Sequence, residues 1–225
     1  MDNPIFNIGE KSFETDEIFN TVSHLVGAMF SLLGSVLLIV RAYMVGDIWQ
    51  TIAFFIYGFS LVNLFLFSTF HHGINKAKEG NAFQVLDYTG IFLLIAGTFT
   101  PFCLTILRGW FGWSVFGVVW FISIVGIVLK SSIRRLPRSI SNTFFLSLGW
   151  MGSVILFGLV RSNFNFLGML LILLGGIFYS VGAVFYMKKI VLIEKRFGSH
   201  ELFHIFVLMG ALMHYAAIYM YVLEI

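Results

Sequence analysis

The chain has 225 residues, of which 59% are hydrophobic and 11% charged, with a mean hydropathy of +0.92. Soluble domains carry about 25% charged residues, so the composition excludes one; at about 20 apolar residues per crossing it leaves room for about seven membrane helices and no separate soluble domain. The net charge of +3 fits a nucleic-acid partner only if the bases cluster away from a membrane, and their placement argues for topology instead, so no nucleic-acid partner is expected.

Residues 1–18 form a short N-terminal segment and residues 19–225 a single transmembrane domain. The segment holds Asp2, Glu10, Lys11, Glu14, Asp16 and Glu17, a charge pattern unlike that of a cleaved signal peptide, so the first span is expected to stay in the mature chain. Stretches free of Lys, Arg, Asp and Glu lie near 19–40, 48–71, 86–107, 110–129, 140–160, 164–187 and 202–223. Each is long enough to cross a bilayer. They are continuously apolar rather than alternating, which favours helices over a membrane barrel. The expected fold is all-α, a seven-helix transmembrane bundle. Its tightest joint is between spans 3 and 4, where only the region of Arg108 and Gly109 separates two apolar runs.

With seven crossings, one side receives Lys11, Lys76, Lys78, Lys130, Arg134, Arg135, Arg138, Lys188, Lys189, Lys195 and Arg196, and the other only Arg41, Arg108 and Arg161. Eleven bases against three in short loops put the N-terminus in the cytoplasm and the C-terminus outside the cell membrane. On this reading the run from Lys130 to Arg138 is a topology anchor rather than an anionic-lipid patch. Cys103 is the only cysteine; it permits no intrachain disulfide and reads as packing. The many aromatics read as lipid contact and interfacial belt. In span 6, Gly175, Gly176, Ser180 and Gly182 suggest close helix packing, and in span 3 Pro101 suggests a kink that opens a cavity.

Ionisable groups inside spans are costly, roughly 2.5–3.5 kcal/mol each at a helix centre, and those that persist face a partner or a cavity. Here they are His24 in span 1, His71 and His72 ending span 2, Asp87 opening span 3, and His200, His204 and His214 at span 7. With Ser68 in span 2, this set contains all six histidines. All but His214, about 15 Å deeper than His204 along a helix, fall in the cytoplasmic leaflet.

Residues four apart share a helix face, which pairs His200 with His204 and Ser68 with His72, and lines up Glu17, Asn20 and His24. His72, His200 and His204 can therefore converge between spans 2 and 7. Three neutral imidazoles with an open fourth position are how a catalytic zinc is held. Asp87 is placed to hydrogen-bond a water on the metal or to orient a ligand imidazole, and Ser68 to bond that water or polarise a substrate carbonyl. Taken singly, Ser68 also reads as a back-bonded helix serine, Asp87 as a cap of span 3, and His24 and His214 as interhelical hydrogen-bonding residues.

The strings ETDEIFNTVSHLVG (14–27), FSTFHH (67–72), LDYTGIFLLIAGTFTP (86–101), GGIFYSVGAVFY (175–186) and HELFHIFVLMGALMHY (200–215) carry a family resemblance. Together they resemble the bacterial hemolysin III family, related to adiponectin and progestin receptors. The resemblance implies seven helices, a cytoplasmic N-terminus and a Zn2+ ion near the inner leaflet. Its ligands would be His72, His200 and His204, with Ser68 and Asp87 beside them. His71 stands where relatives often carry an aromatic, so both adjacent histidines are candidates at that position.

Two functions follow as expectations. The resemblance to receptors and alkaline ceramidases implies a zinc-dependent hydrolase of lipid amides or esters, with membrane lipids as substrate and a role in membrane-lipid homeostasis. The alternative is a non-enzymatic membrane sensor or a cytolytic, hemolysin-like protein in which the zinc is structural. Seven uninterrupted spans argue against a toxin that transfers to another cell.

Overall fold

A computed structural model of the chain describes residues 17–45, 47–74, 82–133, 138–188 and 198–223. Its helices are α1 (Glu17–Val45), α2 (Ile48–Ile74), α3 (Ala82–Leu104), α4 (Trp110–Ser132), α5 (Arg138–Trp150), α6 (Gly152–Arg161), α7 (Phe166–Met187) and α8 (Ser199–Ala217), the last continued by a π-helical turn, Ile218–Val222. Among the described residues there is no strand. Among the described residues, seven helical spans are long and apolar enough to cross a membrane, as the apolar runs predict. Of the expected N-terminal segment, residues 1–16 lie outside the described residues, and Glu17 is already the first residue of α1.

The bundle is built with its polar residues inward, the arrangement a hydrocarbon solvent favours. On α1 the buried residues Asn20, His24, Gly27, Ala28, Ser31, Gly34, Ser35, Leu38 and Ala42 recur at helical spacing, while Met29, Phe30 and Leu33 are exposed to the lipid side. A Cβ on Gly90 would press on the Leu64 backbone and one on Gly97 on the Ser60 side chain. These two small residues bring α3 close to α2, which sets the distance between Ser68 and Asp87. Helices α1 to α4 pack in sequence order, α5 packs on α7 and α3 rather than on α4, and α8 closes the arrangement by packing on both α7 and α1.

The fifth span departs from the single helix predicted over 140–160. It breaks at Met151, where hydrogen bonds from Met151 N to Leu148 O (3.2 Å) and from Val154 N to Met151 O (2.9 Å) replace the helical ladder. Gly149 and Gly152 flank the break and supply the backbone freedom for it. Pro101 falls in the last turn of α3, which ends three residues later at Leu104, so it shapes a helix end rather than the middle of a span.

The tight joint between spans 3 and 4 is a turn over 105–109 in which Gly109 has φ 153° and ψ −169°. That region of backbone space belongs almost solely to glycine and costs other residues about 1–3 kcal/mol. Gly109→Ala is therefore expected to lower unfolding stability in detergent by about that amount, measured by thermal or denaturant melts.

Of the bases used to orient the chain, Arg41, Arg108 and Arg161 lie at one end of the bundle, at the C-terminal ends of α1, the α3–α4 turn and α6. Arg41 donates to the Tyr219 hydroxyl at 3.3 Å and Arg108 lies over the Trp49 ring. Lys11, Lys76, Lys78, Arg134, Arg135, Lys189, Lys195 and Arg196 lie outside the described residues. Lys130 is buried, with Nζ 3.8 Å from the centre of the Tyr88 ring. It is a cation–π partner inside the bundle rather than a solvated anchor.

Candidate metal centre

The first two turns of α8 carry two of the three histidines. Its N-cap is Gly198, whose N–H donates to Glu201 Oε2 at 2.9 Å, the reach-back of a capping box. That fixes the helix start one residue before His200 and places His200 and His204 one above the other. The last turn of α2 brings His72 to the same point.

The ring centres are 4.9 Å apart for His72–His200, 4.8 Å for His72–His204 and 4.7 Å for His200–His204. One nitrogen from each lies within 4.8 Å of the others. His72 Nε2 and His200 Nε2 are 3.1 Å apart, close to the roughly 3.3 Å expected of two nitrogens each about 2.0–2.1 Å from one tetrahedral ion. His72 and His204 are buried and His200 half-buried. These three histidines lie close enough to hold a metal ion.

His72 is held from behind. Its Nδ1 lies 2.5 Å from Glu17 Oε2. A carboxylate only accepts, so Nδ1 carries the hydrogen and Nε2 turns its lone pair to the centre of the cluster. A carboxylate behind an imidazole is the usual support of a metal ligand. The buried His204 ring has an Nδ1 with no hydrogen-bond partner among the described residues, which suits a nitrogen that serves as a metal ligand. The donor set thus fits a zinc-type cation.

His24 also reaches the cluster but in a different role. Its ring stacks on His204 with centres 3.7 Å apart and planes 18° from parallel, so it offers a face rather than an in-plane lone pair. Asn20 donates from Nδ2 to Glu201 Oε1 at 3.5 Å. The stripe Glu17, Asn20 and His24 is therefore the wall of α1 that supports His72, Glu201 and His204 in turn.

Asp87 lies in the second turn of α3, five residues after its start at Ala82, and so is not the cap of that helix. It is half-buried and accepts a hydrogen bond from the Ser68 hydroxyl. Ser68 is thus a partner of Asp87. Both His71 and His72 are close to the Asp87 carboxyl. Of the two adjacent histidines, His72 joins the cluster and His71, 4.9 Å away ring to ring, lies beside it. His214 stays apart, its Nε2 donating to Ile172 O at 3.0 Å between α8 and α7.

Two carboxylates near the centre have roles that helical spacing does not reveal. Glu17 sits in the α1 stripe but pairs across 55 residues, which no local pattern predicts. Glu201 had a local signal: His200-Glu201-Leu202-Phe203-His204 reads as H-E-x-x-H, in which the glutamate of a soluble zinc protease is the general base. Here Glu201 is buried and both its oxygens accept, from Gly198 and Asn20, so it organises the helix start.

Fold and site together define a class: a seven-helix membrane protein with a three-histidine cluster joining its second and seventh spans. Residues 13–215 match the family described as haemolysin-III related, and the chain belongs to that family. It is 38% identical to "Hemolysin-3" of Bacillus cereus, over 94% of each chain, and 33% identical to "Hemolysin-3 homolog" of Bacillus subtilis (strain 168), over 93% of this chain and 96% of that one. It is 25% identical to the "Monocyte to macrophage differentiation factor" of Homo sapiens, over 78% of this chain and 72% of that one. No solved structure matches the chain. The resemblance drawn from the motif strings is thereby borne out.

Proposed function

We propose that His72, His200 and His204 hold one zinc ion at the cytoplasmic leaflet of the cell membrane, and that the protein is a zinc-dependent hydrolase of membrane-lipid amides or esters. The observation that carries this reading is the Glu17–His72 pair facing His200, because it presents a lone pair to the centre while Asp87 stands beside it with no structural capping duty. The inner-leaflet assignment rests on the arginines at the opposite end of the bundle. When bound, zinc supplies Lewis acidity that makes both water and a carbonyl more reactive at neutral pH.

The residues divide the remaining work. The Asp87 carboxylate takes a proton from the attacking water and returns it to the departing amine or alcohol, so that water is split between the fatty acid and the second product. Ser68 holds Asp87 in place. The buried apolar surroundings exclude bulk water, and the substrate arrives laterally from the bilayer.

The test is fatty-acid release from a panel of ceramides and phospholipids by zinc-loaded protein in lipid nanodiscs. The parent is expected to hydrolyse at least one lipid class, and Asp87→Asn to lose about 10²–10⁴-fold of the rate, the usual worth of a proton-transfer group, while keeping its metal. Stoichiometric zinc without release from any lipid would favour the second reading, in which the ion is structural. The clustering of α1, α2 and α8 side chains around one point supports that alternative, a membrane sensor or, as the name of the relatives called hemolysin suggests, a cytolytic protein.

A further inference from the structure

Among the described residues, His24 is the only histidine with both ring nitrogens buried and without a hydrogen-bond partner. The residue is 3% exposed, and an unpaired nitrogen in a hydrocarbon interior is costly. The His204 carbonyl is near but forms no hydrogen bond with either nitrogen. Two other rings hold the imidazole in place. His204 stacks on it with centres 3.7 Å apart, and Phe65 meets it at 5.1 Å with planes 80° apart. One turn along the same face of α1, a Cβ on Gly27 would lie 2.8 Å from Leu208 Cδ2 and 3.0 Å from Phe65 Cδ1. That glycine brings α1 against α2 and α8 and keeps the His24 ring beside the cluster, with His72 and His200 also near it.

The stack decides what the ring can do. An imidazole binds a cation through a lone pair in its own plane, at about 2.0–2.1 Å. Planes 18° from parallel, with centres 3.7 Å apart, do not meet that close to both rings, so His24 and His204 as placed cannot share one ion. Stacking alone does not account for an imidazole either, because a phenyl ring would stack as well and leave no polar atom unpaired. The nitrogens therefore have their use toward a ligand that arrives at the cluster. Three imidazoles leave a tetrahedral cation one free position. The neutral ring that the hydrocarbon favours carries one N–H donor, and in a site of low dielectric such a donor stabilises negative charge on a neighbouring atom.

We infer that His24 is the hydrogen-bond donor for the ligand that fills the free position of the three-histidine centre. It makes this position selective for a ligand atom that keeps a lone pair once bound, an anion or a carbonyl oxygen. A neutral heterocyclic amine spends that nitrogen's only lone pair on the metal and gains nothing from His24. The inference rests on the three-histidine reading of the centre and not on hydrolysis. It gives α1 a part in recognising the incoming ligand, beside the support that Glu17 gives His72.

The test uses the full chain loaded with cobalt(II) in nanodiscs, titrated with azide and with 1-methylimidazole and followed by the visible absorption of the cobalt. His24→Phe keeps a ring on His204 and removes the nitrogens. It is expected to hold cobalt as the parent does, to bind azide at least about tenfold more weakly, the effect of one hydrogen bond to a charged group, and to bind 1-methylimidazole with parental affinity. His24→Leu gives the same comparison where the phenyl ring is not accommodated. His24→Gln restores an N–H and should recover part of the azide affinity. Unchanged azide affinity in the folded phenylalanine or leucine variant, equal losses for both ligands, or loss of cobalt from a folded variant would each overturn the inference and leave the three-histidine reading in place. A parent that binds no cobalt would remove that reading, and the inference with it.

Discussion

Replacing His204 by alanine is expected to remove stoichiometric zinc from the purified protein. The ring lies on the buried side of the cluster, and its loss leaves only His72 and His200, which cannot by themselves hold a tetrahedral ion with one position free. The affinity lost should exceed the roughly 10–100-fold that accompanies removal of an outer support. The same variant should lose metal-dependent stabilisation. A ligand present at a thousandfold excess over its Kd adds about 4 kcal/mol to the folded state, so zinc should raise the melting temperature of the parent and leave that of His204→Ala unmoved. His204→Ala that retains one zinc per chain would remove this residue from the site.

Substitution of Glu17 has the second-largest expected effect, and it tests the part of the centre that spacing alone did not assign. Glu17→Ala removes the acceptor that fixes the His72 tautomer, and zinc affinity should fall by about 10–100-fold. Glu17→Gln keeps an acceptor oxygen but not the charge, and should fall between alanine and the parent. Competition against a chelator of known affinity measures both. Because Glu17 is the first residue of α1 and half-buried, neither change opens a core cavity, so an unaltered melting temperature of the metal-free protein should accompany the loss. Equal affinities in all three proteins would show that the pair does not support the ligand.

Much of this architecture is legible in the chain because a bilayer imposes simple rules. Seven unbroken apolar runs read as helices in a bilayer, and all seven fold as helix, the fifth in two pieces joined at Met151. The four-residue spacings that pair His200 with His204 and Ser68 with His72 survive into the structure, since a helix keeps them whatever surrounds it. What is illegible depends on rotation and on long-range pairing. Neighbouring Gly175 and Gly176 look alike in sequence, yet a turn of about 100° sets the first against His214 and leaves the second facing an open cavity. The same rotation decides between His71 and His72. Lys130 carries a charge that suggests solvent, but the Tyr88 ring one helix away draws it inward. The break at Met151 follows from a pair of glycines whose cost inside an apolar run is small enough to hide.

The most direct measurement of the centre is zinc-edge X-ray absorption on the purified protein and on its His72, His200 and His204 alanine variants. The arrangement described here predicts one zinc per chain with three imidazole nitrogens at about 2.0–2.1 Å, and loss of that signal in each variant. A coordination shell with fewer than two imidazoles, or one that persists unchanged in the variants, would contradict it.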